Sequence, residues 1–265
     1  MEVNTLLACV LKGLGFDVCS VGARISFATD RKEGEGYNGW SHMANIITID
    51  GQRYLLDLGF GSNTPLTPLP FPPASSPSIT VANRKLTLKP LLSTSHPSTP
   101  PSWVYSHRSS PGSPWTDAYA LSREEFHAPD FRVMNLSTMT DSIFTRMLLC
   151  VRAFFADEPW FAERAARDGH GGDAVGGSGG RERGEIAGQI VLLGDTLKYR
   201  LLMTPVSTEG EADGPEWSED VHLATFATED ERVEALRTYF DVRFSDEDKR
   251  AIIGTPTAIE NSAGA

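Results

Sequence analysis

An Asp-Gly pair between two strand-like runs constrains this chain more than any other feature of its sequence. Asp50-Gly51 separates the runs HMANIITI and QRYLLDLGF, which are rich in Ile, Leu and Tyr. A two-residue type I′ turn needs positive φ at both central positions, and Asp-Gly tolerates this, so the pair predicts a β-hairpin. Ile49 then faces Gln52, and the residue numbers of each further pair sum to 101.

This register places His42 and Asp57 on the same face of the hairpin. His42 lies opposite Gly59, and Asp57 lies opposite Ala44, so the two polar side chains are diagonal neighbours. Their β-carbons are expected roughly 7–8 Å apart, a gap that two polar side chains leaning together can close to a hydrogen bond. A shift of one residue in one strand would separate them, because alternate residues point to opposite faces.

Two interpretations of this pair stay open. A half-buried strand pair could simply carry one hydrogen-bonded histidine and one carboxylate near a turn. The sequence LLDLGF counts against that, since an ionised carboxylate among apolar residues is costly unless something pairs with it. An Asp bonded to one imidazole nitrogen leaves the other nitrogen to accept a proton from a Ser or Cys nucleophile.

Several segments resemble the arylamine N-acetyltransferases. MEVN is similar to the residues that follow the catalytic cysteine in the family motif Arg-Gly-Gly-x-Cys-x-Glu-x-Asn. GWSHM resembles the histidine strand of the family, and YLLDLGFG resembles its Asp-x-Gly-Phe-Gly strand. Further similarity lies in FRVMNLSTMTDSIF, GDTLKYRLL and VEALRTYFDVRFSDEDKRAIIG. The resemblance touches most of the chain except its Pro/Ser-rich and Gly-rich stretches.

The resemblance implies an α+β fold with a papain-like core, a β-barrel domain and an α/β lid. The expected domains are a remnant of the helical domain with the catalytic helix (1–15), a barrel domain with His, Asp and Pro/Ser-rich loops (16–130), and a lid with a disordered Gly-rich insertion at 167–185 (131–265). Met1 matches the residue directly after the family's cysteine. The N-terminal helical domain is therefore expected to be mostly missing, as in a truncated member.

The resemblance also implies a chemistry. In the family the cysteine accepts an acetyl group from acetyl-CoA and passes it to an arylamine or hydrazine, so acetyl-CoA is expected as co-substrate and no permanently bound cofactor is expected. His42 is then the general base and Asp57 orients it. The positions expected to meet coenzyme A are Asn38, Gly39 and Thr140, and those expected to meet the substrate are Ser41, His42 and Phe60.

None of the three cysteines is expected to replace the missing nucleophile. Cys9 lies roughly 13–14 Å along the opening helix from that position and about 180° round it. Cys19 and Cys150 lie in apolar runs and are predicted to be buried small hydrophobes. The chain is then either part of a working acetyltransferase, a non-catalytic relative that binds coenzyme A or an amine, or an inactive fragment. A hydrolase like a cysteine protease fits the Asp-x-Gly-Phe-Gly strand less well.

Composition excludes several other classes. The net charge of −11 without a basic stripe disfavours nucleic-acid binding. No apolar run approaches 18 residues, so no membrane span is predicted. Three cysteines without paired spacing indicate a reducing compartment, and a cytoplasmic monomer is expected. The histidines outside the hairpin show no metal-ligand spacing, so no metal site is expected; they are His96, His107, His127, His170 and His222.

Overall fold

The protein is described from a computed structural model. The structure describes residues 1–30, 32–65, 67–72, 75–81, 83–91, 100–109, 112–140, 142–167, 186–203 and 216–259. These residues form two compact units, one up to residue 140 and one from residue 142 onward. The expected domain boundaries at 15/16 and 130/131 stay predictions.

The first unit is an antiparallel sheet with three helices. Its elements are α1 (Glu2–Gly13), β1 (Asp17–Ser26), α2 (Phe27–Asp30), β2 (Tyr37–Ile49), β3 (Gln52–Leu56), β4 (Leu69–Pro70), β5 (Ser78–Val81), β6 (Arg84–Lys89), β7 (Ser102–His107), β8 (Thr116–Glu125) and α3 (Ala128–Thr140). A 3-10 turn, Gly61–Asn63, follows β3. The eight strands run in the order β4-β3-β2-β1-β8-β7-β6-β5 and form a nearly closed barrel.

Side chains that alternate along the strands fill the inside of this barrel. Tyr105 on β7 pairs with Tyr119 on β8, and both are fully buried. Leu86 on β6 pairs with Tyr105 and is also fully buried. Because residues two apart share a face of a strand, this alternation gives one core from eight short strands. Other members of the same core are Val21, Ala23, Ala44, Leu55, Leu69, Phe71, Ala118 and Leu121.

The predicted hairpin forms with the predicted register. Ile49 pairs with Gln52, and the ladder continues to Asn45 and Leu56. Asp50 has φ of 49° and Gly51 has φ of 77°, as a type I′ turn requires.

The strand ladder stops before the last three predicted pairs, from Ala44–Asp57 to His42–Gly59, which is a correction to the extended hairpin. Asp57 and Gly59 lie beyond the end of β3 and form no ladder pairs with Ala44 and His42. The Gly59 N–H instead donates to Asp57 Oδ1 at 2.8 Å. This Asx turn bends the chain out of the strand directly after Leu56.

The opening helix α1 lies within the region 1–15 expected to hold the catalytic helix, and its buried residues have small side chains. Asn4 and Ala8 are its buried residues, one turn apart, and Ala8 packs against Val18 and Ile47 of the barrel. Larger apolar side chains of the same helix are exposed, namely Val3, Leu6 and Val10. Small residues at the contact let the helix axis lie close to the strands.

The second unit packs two longer helices on a five-stranded sheet. Its elements are β9 (Leu149–Phe155), α4 (Pro159–Arg167), β10 (Ile186–Leu193), β11 (Thr196–Met203), β12 (Glu216–Trp217), β13 (Val221–Thr225), α5 (Glu229–Phe240) and α6 (Asp246–Ala251). The strand order is β12-β11-β10-β9, and β13 also pairs with β11. The buried guanidinium of Arg232 ties α5 to the carbonyl oxygens of Gly194 and Thr257.

Some sequence-based predictions fall outside these ranges. The Gly-rich insertion expected at 167–185 lies outside the described residues except for Arg167. His96 and His170 also lie outside them. The sequence predicts the histidines outside the hairpin to lie in loops, but two of them lie in strands: His107 ends β7 and His222 lies in β13. Within the described ranges, no helix is both long and apolar enough to cross a bilayer.

Candidate active site

His42 and Asp57 form a short buried hydrogen bond. The Nε2 atom of His42 lies 2.7 Å from Oδ2 of Asp57, and the two side chains are 7% and 0% exposed. The other ring nitrogen, Nδ1, makes no hydrogen bond with the described part of the chain. The arrangement therefore fixes one imidazole nitrogen on a carboxylate and leaves the other for a second partner.

A single asparagine from α1 holds this pair in place. The amide nitrogen of Asn4 donates to Asp57 Oδ1 at 2.8 Å and to the Met43 carbonyl at 2.6 Å. Its amide oxygen accepts the Leu58 N–H at 2.9 Å. Asn4 is fully buried, and a buried amide needs partners for its donors and its acceptor. Asp57 and the residues that directly follow His42 and Asp57 in the chain supply them.

Asn4 is itself anchored by a second buried amide. Asn45 Nδ2 donates to the main-chain carbonyl of Asn4 at 2.8 Å, and Ser20 donates its hydroxyl to Asn45 Oδ1 at 2.8 Å. These bonds join α1, β2 and β1 in one chain of polar contacts. The helix position and the dyad position are thereby coupled through hydrogen bonds.

The surroundings of Asp57 keep its carboxylate ionised. Burial alone would raise the pKa of Asp57, but the neighbouring His42 and the hydrogen bonds from His42, Asn4 and the Gly59 N–H together hold the pKa below its usual value. An ionised Asp57 can stabilise a proton on the imidazole and fix which nitrogen carries it.

Aromatic rings enclose the histidine. The ring centroids of Phe60 and Tyr119 each lie 5.1 Å from that of His42. The Tyr119 hydroxyl is buried and makes no hydrogen bond of ordinary geometry in the described residues, but it lies close to Asp57. Burial raises the pKa of this phenol, and the neighbouring Asp57 carboxylate raises it further. Tyr105 lies against Tyr119 and donates its hydroxyl to the Asn63 carbonyl at 2.6 Å. The walls around His42 are thus apolar and neutral.

A family comparison identifies the protein class to which this site belongs. A family model described as N-acetyltransferase matches residues 1–160, which include α1, His42 and Asp57. The chain belongs to the arylamine N-acetyltransferase family. The resemblance seen in the sequence is thereby confirmed at the level of the family.

Curated relatives come from fungi. The chain is 28% identical to an N-malonyltransferase of Fusarium pseudograminearum over 269 residues, which cover 95% of this chain and 67% of that protein. It is 26% identical to an N-malonyltransferase of Gibberella moniliformis, with 95% and 66% covered. The chain therefore spans about two thirds of the length of the curated relatives it matches.

Solved arylamine N-acetyltransferases share the fold. A Mycobacterium smegmatis enzyme superposes with a TM-score of 0.60 at 17% identity, covering 97% of this chain and 74% of that one. A Salmonella typhimurium enzyme gives 0.60 at 15% identity, with 95% and 73% covered. The Mycobacterium marinum enzyme solved with coenzyme A gives 0.54 at 19% identity, with 96% and 71% covered. These likenesses confirm the expected α+β fold of the family.

The other positions expected to meet coenzyme A or the substrate lie in two different elements, β2 and α3. Asn38, Gly39 and Ser41 precede His42 on β2, and a side chain added at Gly39 would meet open space. Asn38 bonds to Asp30 and Lys32 through its side chain. Thr140 ends α3, where its hydroxyl donates to carbonyls of its own helix, and it has no hydrogen bond to the other positions. The structure thus brings together His42, Asp57 and Phe60, but not Thr140.

No cysteine of the described residues meets the histidine through a hydrogen bond. Cys9 is exposed on α1, and Cys19 packs partly buried against the barrel core. Burial raises the pKa of Cys19, and the charge of Glu125 adds to that effect, which disfavours a thiolate. Cys150 packs against the core of the second unit, and burial raises its pKa too.

Sequence reasoning missed two residues of this site. Asn4 was visible as the last residue of MEVN, but its contact with Asp57 spans 53 positions of the chain. Tyr119 comes from β8 and reaches His42 across the barrel interior. A buried polar residue on the docked face of a short helix is the signal that could have marked Asn4.

No His, Cys, Asp and Glu group suited to a metal occurs among the described residues.

Proposed function

We propose that this protein is an N-acyltransferase that moves an acyl group from acyl-coenzyme A to an arylamine or hydrazine through a Cys-His-Asp triad. The buried bond between His42 Nε2 and Asp57 carries the proposal, because it leaves Nδ1 to serve a thiol. Acetyl-CoA is the donor implied by the family. The fungal relatives, which are N-malonyltransferases, support malonyl-CoA as a second candidate donor.

The chemistry follows a double displacement. His42 Nδ1 takes the thiol proton, the thiolate attacks the acyl carbonyl of the thioester, and coenzyme A leaves as a thiol with the proton from Nδ1. The amine nitrogen then attacks the acyl-enzyme carbonyl, and His42 moves the amine proton to the departing cysteine sulfur. Asp57 stabilises the imidazolium in both halves. Phe60 forms a wall against which an aromatic acceptor can pack.

The thiol is the one member that the chain as printed does not bring to His42. In the family motif the cysteine directly precedes the residue that Met1 matches, so a protein that carries this motif before Met1 is expected to have the complete triad. The 265-residue chain alone is expected to bind substrates without turnover. A non-catalytic relative would instead bind substrates and show no transfer in any form.

We also propose that the enzyme acts as a cytoplasmic monomer on foreign amines.

A comparison of two proteins tests the proposal. One is the chain as printed, and the other carries the family motif Arg-Gly-Gly-x-Cys directly before Met1. Release of free coenzyme A from acetyl-CoA and from malonyl-CoA, with an arylamine present, is the readout. Turnover is expected only in the second protein. Absence of turnover in both, despite binding of acyl-CoA, would favour the non-catalytic alternative.

Substitutions in the extended protein test the triad. His42→Ala and Asp57→Asn are expected to lower the rate about 10³- to 10⁴-fold, because triad members act as a unit. His127→Ala is the matched control, since His127 is exposed before α3 and is expected to leave the rate unchanged. Turnover that survives Asp57→Asn would rule out the assignment of Asp57.

A further inference from the structure

Arg84 lies at the end of the barrel that carries the dyad. It is the first residue of β6 and shares the inward face with Leu86, which is fully buried two positions later. In the antiparallel strand order, the start of β6 and the end of β3 are at the same end of the sheet. The chain leaves β3 at that end toward Asp57 and Phe60.

A short series of contacts links Arg84 to the site. Its Nε lies 3.5 Å from the Thr64 carbonyl, and the Thr64 hydroxyl accepts the Phe60 N–H at 3.0 Å. The Phe60 ring in turn packs on His42. Thr64 is therefore the one residue in this series between Arg84 and the Phe60 ring, which faces the proposed acceptor.

This guanidinium has unused binding capacity. Nη1 of Arg84 donates to the Asn83 carbonyl at 3.0 Å, and Nη2 makes no hydrogen bond in the part of the chain that is described. Arg108 donates from Nε to Asn83 Oδ1 at 2.9 Å. In the part of the chain that is described, the side-chain hydrogen bonds of these two arginines go to neutral acceptors and neither makes an ion pair. Both guanidinium groups thus bind Asn83, a neutral residue, and that of Arg108 also lies 4.9 Å from the centre of the Trp115 ring.

The residue that joins them holds a further unpaired donor. Asn83 is 3% exposed, and its amide hydrogens on Nδ2 meet no acceptor in the structure. A buried donor without a partner costs about 1–3 kcal/mol of stability. A ligand that accepts a hydrogen bond from Asn83 Nδ2 would remove this cost. An anion with two oxygens could accept hydrogen bonds both from this amide and from the free Nη2 of Arg84, because arginine binds a carboxylate with a planar fork of donors.

We propose that Arg84, supported by Asn83 and Arg108, binds a carboxylate that one of the two substrates carries. The carboxylate is either the free end of a dicarboxylic acyl group on coenzyme A or a ring substituent of the amine acceptor. The inference rests on the proposed function and narrows it to carboxylated substrates. Arg84 acts in selection of the substrate and takes no part in proton transfer.

Paired ligands that differ by one carboxylate test this inference. Calorimetric dissociation constants are measured for acetyl-CoA against malonyl-CoA and for aniline against 4-aminobenzoate. The wild-type chain is expected to prefer the carboxylated member of one pair, and that pair identifies the source of the carboxylate. Arg84→Gln is expected to reduce the preference about 10- to 100-fold.

Two further variants complete the design. Arg53→Gln removes the same charge beside the Asp50-Gly51 turn, at the other end of the hairpin, and is expected to keep the preference. Arg84→Lys keeps the charge without the planar fork and is expected to keep part of the preference. If Arg84→Gln does not fold, this lysine variant carries the test, and an unchanged preference in it would overturn the inference.

The remaining outcomes separate the inference from the proposed function. Equal preference of the wild-type chain within both pairs would overturn the role of Arg84 and leave the acyltransferase proposal standing. Equal weakening of acetyl-CoA and malonyl-CoA by Arg84→Gln would also overturn it, because the bound anion would then be a phosphate of coenzyme A. Failure of both neutral ligands to bind would remove the proposed function itself.

Discussion

Replacement of Asn4 by Asp changes one nitrogen to oxygen at the centre of the buried network. The Leu58 N–H keeps an acceptor, but the donor to Asp57 Oδ1 and to the Met43 carbonyl is lost. Each buried group left unpaired costs about 1–3 kcal/mol. The new carboxylate would also touch Asp57, and two carboxylates in contact cannot both be ionised.

The second cost can be worked out from proton uptake. A free Asp has a pKa of about 3.9, so keeping one carboxyl protonated at pH 7 costs up to about 4 kcal/mol at about 1.4 kcal/mol per pH unit. The protonated carboxyl regains one of the two lost donors. We therefore expect Asn4→Asp to lower the free energy of unfolding by about 5 kcal/mol at pH 7, a large part of a typical domain's stability.

The sign of the pH dependence distinguishes this explanation from a simple packing defect. In the wild-type protein the pKa of Asp57 is lowered, so its contribution is present above about pH 3.9 and is lost as pH falls through the folded-state value. In Asn4→Asp the shared pKa is raised. Stability is then greatest below about pH 3.9 and is lost as pH rises through the raised value.

Urea denaturation followed by circular dichroism at pH 4.5, 5.5 and 6.5 measures this difference. The gap between wild type and Asn4→Asp should widen with pH by up to about 1.4 kcal/mol per unit. Asn135→Asp is the matched control, since Asn135 lies on α3 and makes no hydrogen bond in the described residues. A gap that stays constant over this pH range would refute the proposed contact between the two carboxyl groups.

Two further predictions concern packing. Gly188→Ala should lower the free energy of unfolding by about 3 kcal/mol, because its Cβ would lie 2.2 Å from the Arg200 carbonyl oxygen. Gly13→Ala has open space around the new Cβ and should raise the free energy of unfolding by about 0.5–1 kcal/mol. Thermal melts of both variants test the contrast. Tyr105→Phe should lower the free energy of unfolding by about 1 kcal/mol, because the hydrogen bond to the Asn63 carbonyl is lost. Tyr119→Phe should leave the free energy of unfolding unchanged or raise it slightly, because the Tyr119 hydroxyl has no such bond. Equal losses in urea titrations would contradict this difference between the two hydroxyls.

The hairpin could be predicted from the sequence because its information is local. The Asp50-Gly51 turn sets the register, and the register determines which face each side chain takes. The contact between His42 and Asp57 follows even though the ladder ends one residue before Asp57. Side-chain reach, together with the bend at Gly59, compensates for the missing pairs.

The supports of the dyad depend on contacts that local patterns do not encode. The leucines of α1 are spaced as in an amphipathic helix, but its buried residues are Asn4 and Ala8, and Leu6 is exposed. Tyr119 reaches the site only because β8 pairs with β1, a strand nearly a hundred residues earlier in the chain. Such contacts require knowledge of how distant elements pack, which hydrophobic spacing alone does not give.

The docking of α1 also determines the distance between the two dyad partners. One amide of Asn4 binds the Met43 carbonyl, one residue after His42, and the Leu58 N–H, one residue after Asp57. The main chain on both sides is therefore held from the same point, and the bond between Nε2 and Oδ2 does not depend on the two side chains alone. Because Ala8 permits the close approach that brings Asn4 into reach, the packing of a small side chain on the barrel contributes to orienting the proposed base.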